Sequence, residues 1–284
     1  MKIFLPNKIL IILFFIALLA YVLMPTVKNK LSPDKYTNIS DRIKTWVKII
    51  FILYFACLNK ITLLILFSFI SYISLGEFIN VFKIEKNKQL QIFFILMIIG
   101  NYFFIYRNSF IGFLIFTPSL LFIMTFFRKY KKEVFFGGAI SVYLLSFLTF
   151  LINSDNGITK IITYIILVEL NDIYQYITGN IFGMHTIAPK ISPNKTLEGV
   201  IGGVILTTLT AIILKYYYWN DLYILVSSII ALLGFFGDIF ISYFKRIGNI
   251  KDTGNLLKGH GGVLDRIDSL IFVSPFVCLV NLFL

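Results

Sequence analysis

Apolar residues fall in long runs along this chain, separated by short polar breaks. The runs cover about 9–23, 46–58, 61–82, 89–106, 109–127, 134–152, 199–218, 222–244 and 269–284, and one more surrounds Glu169 and Asp172. A helix needs about 20 apolar residues to cross a bilayer. The pattern therefore predicts an all-α, polytopic integral membrane protein with about nine or ten transmembrane helices and short loops. Asn59-Lys60 divides the short run 46–58 from its successor, and residues 26–48 read as a basic linker carrying Lys28, Lys30, Lys35, Arg42, Lys44 and Lys48. No small-x-small cleavage site follows the first run, where Tyr21, Val22 and Leu23 lead into Met24-Pro25, so it is read as a retained helix or anchor. Glu77, near the end of its run, reads as an interfacial carboxylate. The expected division is an N-terminal set of helices over 1–160 and a C-terminal transmembrane catalytic region over 161–284, within one membrane domain.

Composition narrows the class. Hydrophobic residues make up 58% of 284 and charged residues only 14%, which excludes an ordinary soluble domain. The two cysteines, Cys57 and Cys278, lie far apart in apolar runs and read as small buried hydrophobes, with no disulfide or zinc pattern. The net charge of +12 suits an anionic substrate and an anionic lipid surface. Its cations sit in short loops between spans, which argues against nucleic acid. Lys83, Lys86 and Lys88, and Arg128, Lys129, Lys131 and Lys132, mark two loops as cytoplasmic by the positive-inside rule. Alternation then puts residues 26–48, the loop after residue 180 and the stretch Lys245–Asp268 on the same side, with the N-terminus outside.

The candidate chemistry gathers late. Asp238 to Ser269 holds four carboxylates, five cations and one of the two histidines. Asp238, Ser242 and Lys245 share one helix face, and Arg246 sits beside Lys245. Gly248, Gly254, Gly259, Gly261 and Gly262 let backbone N–H groups approach an oxyanion. Asp265 and Asp268, three apart, offer hard oxygen ligands of the kind Mg²⁺ takes. Upstream, Glu169 and Asp172 lie three apart inside a span, with Tyr176 one turn further on. An acidic group at a helix centre costs about 2.5–3.5 kcal/mol on insertion scales, so this face is expected to look into the protein. The loop that follows offers Lys190 and Lys195 for phosphates and Ser192 and Thr196 as hydroxyls, and Gly199, Gly202 and Gly203 allow close helix packing. His185 suits a scaffold role. His260, between glycines, suits either a scaffold or a phosphate contact.

The spacing Ser242-x-x-Lys245-Arg246-x4-Lys251-Asp252, then His260-Gly261-Gly262-x-x-Asp265-Arg266-x-Asp268, resembles the signature of the CDP-diacylglycerol synthase (phosphatidate cytidylyltransferase) family. Phe182-Gly183 and Ser192-Pro193-x-Lys195-Thr196-x-Glu198-Gly199 resemble it again. The likeness covers roughly residues 165–270. It departs at Lys258, where members usually carry Pro, and after Asp172, where Ile173, Tyr174 and Gln175 replace small residues and only Tyr176 agrees.

The resemblance implies a nucleotidyltransferase of phospholipid biosynthesis that converts CTP and phosphatidate to CDP-diacylglycerol and pyrophosphate. It implies Lys245, Arg246, Asp265, Asp268 and His260 as catalytic residues. Asp238, Asp265 and Asp268 would hold Mg²⁺ or another divalent cation. Substrate would be met by Asp172, Tyr176, Lys190, Ser192, Lys195, Thr196, Glu198, Ser242, Lys251, Asp252, Gly261, Gly262 and Arg266. The expected partners are CTP, phosphatidate or a related lipid phosphate, and membrane lipids; a homodimer is compatible with the chain. The expected setting is a bacterial inner (plasma) membrane, with the site facing the cytoplasm. A CTP-dependent transferase acting on an isoprenoid phosphate or a polyprenol would share this signature, and an anion transporter would share the charge. Transporters tend to show repeated halves and broken midplane helices. Here the polar groups gather late and on one expected face, which favours an enzyme.

Overall fold

The protein, seen as a computed structural model, is described over residues 4–25, 28, 32–84, 88–124, 131–218, 222–257, 259 and 261–283. Helices dominate it: α1 (Phe4–Leu23), α2 (Pro33–Ala56), α3 (Lys60–Val81), α4 (Lys88–Tyr106), α5 (Phe110–Met124), α6 (Lys131–Gly138), α7 (Leu145–Phe150), α8 (Gly157–Phe182), α9 (Leu197–Tyr218), α10 (Tyr223–Ile247) and α11 (Leu264–Phe283). A π-helical turn, Ala139–Leu144, joins α6 to α7, and a short 3₁₀ turn ends that rod at Asn153. Among the described residues, five helical segments are long and apolar enough to cross a membrane: Lys60–Val81, Lys88–Tyr106, Lys132–Asn153, Tyr223–Ile247 and Leu264–Phe283. Leu10–Leu23, Phe110–Ile123 and Leu197–Ile213 are shorter apolar helices. The 26-residue α8 carries Glu169 and Asp172 within it. The all-α membrane character holds.

Three boundaries differ from the sequence pattern. The basic stretch 26–48 is not a linker throughout, because α2 begins at Pro33. Proline suits the first helical position, where its missing N–H is no loss, and the lysines and arginine beyond it ride on the helix. The last helix starts at Leu264 rather than 269, since Asp265 stands in its first turn, where a carboxylate is favoured by the helix dipole. The loop after residue 182 contains an antiparallel hairpin, β1 (Thr186–Ala188) with β2 (Ser192–Thr196). The break at Asn59-Lys60 stands as expected. Asn59 accepts from Thr62 N at 2.9 Å, and Thr62 Oγ1 accepts from Asn59 N at 3.3 Å, which closes a capping box that starts α3.

Helices α8, α9, α10 and α11 pack side by side, and α11 also lies against α7 and α3, which ties the two halves of the chain together. Tyr164, Phe67, Phe78 and Phe113 are among the largest fully buried side chains. Three pairs of polar groups join helices inside this core. Ser71 meets Tyr102 at 2.9 Å, Thr117 donates to Asn101 at 2.7 Å, and Asn171 donates to the Ala231 carbonyl at 3.1 Å. At one end, Lys60 bonds the Tyr106 carbonyl and Asn153 Oδ1. At the other end, Gly248 is pressed against Val81, and Arg246 bonds the Ile191 carbonyl at 3.0 Å, which places the hairpin and the 248–263 loop together.

Candidate active site

The second end is where the charged residues converge. Helix α8 brings Asp172 and Gln175, β2 brings Lys195, α10 brings Asp238, Ser242 and Lys245, and α11 brings Asp265 and Asp268. Lys195 Nζ lies 2.8 Å from Asp238 Oδ2 and 3.3 Å from Gln175 Oε1, and its ammonium stands 6.0 Å from the centre of the Phe235 ring. Ser242 Oγ donates to Asp238 Oδ1 at 3.2 Å, one helical turn away. Asp172 Oδ2 accepts from Ser269 Oγ at 2.9 Å, and Asp268 Oδ1 from the Ser269 N–H at 2.8 Å. Burial opposes the charge on Lys195, but the fields of Asp238 and then Asp172 outweigh it and hold its pKa above the usual lysine value. Lys195 is therefore a fixed cation among carboxylates.

The complementary atoms lack partners. Among the described residues, Asp172 Oδ1, Gln175 Nε2 and Arg266 Nε are buried and find no hydrogen-bond partner. Unpaired buried polar atoms are costly, and groups of this kind call for a missing partner. An acceptor oxygen and two donors thus stand within one polar cluster.

Asp265 is in a different state. Its Oδ1 accepts from Lys245 Nζ at 2.8 Å; its Oδ2 accepts from Thr253 N at 2.8 Å, Thr253 Oγ1 at 3.0 Å and Gly262 N at 2.9 Å. Both oxygens are committed inside the protein. The glycine-rich segment does bring backbone N–H groups to an oxyanion, and that oxyanion is Asp265 itself. Gly261, at φ +83°, would place a Cβ 2.8 Å from Asp265 Oδ2, so both the backbone conformation and the contact demand glycine there.

Glu77 corrects its sequence reading. It is 7% exposed rather than interfacial. It accepts from Val263 N at 3.0 Å and Leu264 N at 2.8 Å, and it shares the Thr253 hydroxyl, 3.0 Å away, with Asp265. Its only sequence signal was a carboxylate inside an apolar run. Gln175, Thr253 and Ser269 are the other participants that the sequence reading passed over. Gln175 had stood out as a departure from small residues, but its contact with Lys195 depends on how β2 folds back over α8.

The remaining candidates divide. Glu198 bonds His185: its Oε1 meets His185 Nδ1 at 2.6 Å, and its Oε2 accepts from the Met184 and His185 N–H groups at 3.0 and 3.2 Å. Thr196 Oγ1 accepts from Gly199 N at 3.1 Å and caps α9. These two residues shape the loop, and His185 acts as the expected scaffold. Arg246 bonds the Ile191 and Ile250 carbonyls and staples the hairpin to the following loop. Lys190, Lys251 and Asp252 are exposed around this end and Ser192 is half-buried. Tyr176 is not brought in: it points outward, 72% exposed. His260 lies outside the described residues, but its neighbour Gly259 accepts a bond from Arg42 Nε at 3.0 Å, which draws α2 to the loop.

Two cavities flank the cluster. One, of about 460 Å³, opens between α3, α4 and Thr253–Leu256 and is lined by Glu77, Asn80 and Gln91 among others. The other, of about 300 Å³, lies between α1, α2 and α8 and is apolar except for Glu169.

Residues 40–284 match the cytidylyltransferase family. The chain is 33% identical to the uncharacterized protein YnbB of Escherichia coli (strain K12), over 95% of this chain and 96% of that protein. It is 40% identical to a phosphatidate cytidylyltransferase of Rickettsia bellii, over 48% of this chain and 64% of that protein. A phosphatidate cytidylyltransferase of Staphylococcus haemolyticus is 39% identical over 47% of this chain and 53% of that protein. The match thus spans about half to two thirds of the length of these two enzymes.

Proposed function

Because the chain belongs to the cytidylyltransferase family, we propose that it transfers the cytidylyl group of CTP to phosphatidate, giving CDP-diacylglycerol and pyrophosphate. The observation that carries this reading is the cluster of Lys195, Asp238, Asp172 and Asp268 beside the Lys245–Asp265 pair, at the end of the bundle that holds the hairpin and the loop after Gly248. The second pKa of a phosphate monoester is about 6, so phosphatidate is largely a dianion at neutral pH and needs no dedicated base. One of its oxygens forms the bond to the α-phosphorus of CTP, and the bond from that phosphorus to the bridging oxygen of the β-phosphate breaks, leaving pyrophosphate with the electron pair. The task for the protein is to bring two anions together and meet the charge that moves onto pyrophosphate. Lys195 is placed for it, held by Asp238 and raised clear of neutral titration. Arg266, with its buried and unpaired Nε, is a second donor. The apolar cavity beside α8 lies along the face that carries Glu169, one turn from Asp172, and suits acyl chains while the phosphate reaches the polar cluster.

A divalent cation fits the donor set. Asp172 Oδ1 is a buried hard oxygen without a partner among the described residues, and Asp238 and Asp268 stand close enough to feel its charge. Among the described residues no three carboxylates form a ready-made cage. Mg²⁺ does not need one, since it usually takes one or two carboxylates and completes its shell with water and substrate phosphate. Asp172 and Asp268 would hold it, while Asp238, whose oxygens bond Ser242 and Lys195, would orient Lys195. Asp265 would instead orient Lys245 and the loop, because its own oxygens are committed. Such a cation would neutralise phosphate charge as it shifts toward pyrophosphate. The remaining apolar helices, α1 and α9 included, complete a bundle of nine or ten spans in a bacterial inner membrane, with the site facing the cytoplasm.

The test is direct. Purified protein is given labelled CTP and a panel of lipid phosphates, with Mg²⁺. Labelled CDP-diacylglycerol and stoichiometric pyrophosphate are expected with phosphatidate. Turnover of an isoprenoid phosphate with none of phosphatidate would keep the reaction and overturn the acceptor; no turnover of CTP with any lipid phosphate would overturn both.

A further inference from the structure

Glu77 has no part in the reaction just described, and it comes from the other half of the chain. Val263 and Leu264 lead into α11, and the first N–H groups of a helix have no partner within it. A helix commonly takes such a cap from a neighbouring residue; here the acceptor is 186 residues away from Val263 in sequence. The same carboxylate bonds Thr253 Oγ1, which also faces Asp265 Oδ2 at 3.0 Å. A hydroxyl has one proton, so Thr253 can donate to only one of the two at a time. Glu77 is thus one residue removed from the Lys245–Asp265 pair.

The glycines of the loop fit around it. A Cβ on Gly262 would strike Thr253 Oγ1 and Glu77 Oε2. On Gly254 the three nearest atoms would all belong to Glu77, the first of them Oε1 at 2.8 Å. Two glycines of this loop are therefore small where the Glu77 carboxylate stands.

We infer that Glu77 is a positioning residue for cytidylyl transfer, a carboxylate on α3 that fixes the start of α11 and the Thr253–Gly262 segment so that Asp265 orients Lys245, and α11 brings Asp268, toward the reacting phosphates. The inference rests on the proposed reaction. It is distinct from a role in stability alone: a simple cap would change melting and leave the turnover of each folded molecule intact. Misplacing reacting groups by about 1 Å costs up to about a hundredfold in rate.

The experiment uses full-length protein in detergent, CTP and phosphatidate, with melting followed in parallel. Glu77→Gln keeps the length and one acceptor oxygen but sets an amide against the remaining donors. It is expected to lower kcat about tenfold or more, with KM for either substrate changed by less than about threefold. Gly254→Ala crowds the carboxylate and leaves its chemistry alone, so it remains informative if Glu77→Gln does not fold. It is expected to lower kcat in the wild-type background and to cause no further loss beside Glu77→Ala. A kcat within about twofold of wild type in Glu77→Gln or, where that variant does not fold, in Gly254→Ala, or losses that simply multiply in the double variant, would overturn the role of Glu77. A wild type that turns over no phosphatidate would overturn the reaction itself and is told apart by that control.

Discussion

At the scale of single residues, the site was legible where charge stands against an apolar background. Asp172 and Asp238 stand inside apolar runs, Lys245, Asp265 and Asp268 stand out by their spacing, and the fold brings all five to one end. Their division of labour was not legible. Asp265 and Asp268 looked alike in sequence, yet Asp265 takes three bonds from within the protein and shares the Thr253 hydroxyl with Glu77, while Asp172, assigned to substrate, keeps a bare buried oxygen. Glu77 was misread because its donors lie 176 to 187 residues away, a separation at which spacing carries no signal. Asp172→Asn tests the cation assignment. Asparagine can still accept from Ser269 through its carbonyl, so the protein should remain folded, but an amide takes the place of the bare oxygen. Turnover is expected to fall about a hundredfold or more, with a higher Mg²⁺ requirement in any residual activity. Near-normal activity at the wild-type Mg²⁺ requirement would remove Asp172 from the cation site.

At the scale of elements, helices were predicted well because length and apolarity decide them, and their ends less well because caps decide those. The hairpin escaped notice because its short strands carry Pro193, Asn194 and Lys195 rather than an alternating apolar pattern. What sets it over α8 is helix packing. A Cβ on Gly199 would lie 2.8 Å from the Gln175 carbonyl oxygen and 3.2 Å from the Gly179 Cα, so α9 can approach α8 only through glycine. Gly199→Ala must push the two helices apart against backbone atoms, which costs about 1–3 kcal/mol by analogy with overpacked cores. Because Thr196 caps α9 through Gly199 and Lys195 precedes that cap, the displacement should also move Lys195 off Asp238. Lower melting together with at least about tenfold slower turnover is expected. Gly234→Ala is the contrasting change: its Cβ would meet Asn171 Nδ2 at 3.3 Å and Ser269 Cβ at 3.7 Å, a fit that needs only a small adjustment. It should melt and turn over close to wild type. Equal effects of the two substitutions would contradict the packing account.

At the scale of the whole molecule, the two ends of the bundle differ in chemistry, and the difference has a direction. One end holds the 81–84 turn, the hairpin and the 248–263 loop, joined by Gly248 against Val81, Arg246 to Ile191 and Arg42 to Gly259. The other holds Lys60 closed over Tyr106 and Asn153, beside the 154–156 turn. Under the proposed reaction, a nucleotide made in the cytoplasm and an excess of lysine and arginine in short loops both predict that the first end faces the cytoplasm. Sequence periodicity gives the number of crossings only through apolar length, so it could not say which loops share an end; the cross-bundle contacts do. Exposed positions report the orientation. Asn194 and Asn249 lie at the site end and Asp155 at the opposite end, all three exposed, while the native Cys57 and Cys278 are buried and should give little background. In sealed cells, Asn194→Cys and Asn249→Cys should resist an impermeant thiol reagent until the membrane is opened, and Asp155→Cys should react at once. The reverse pattern would put the cluster of Lys195 and the carboxylates on the side that CTP does not reach, and the proposed reaction would fall with it.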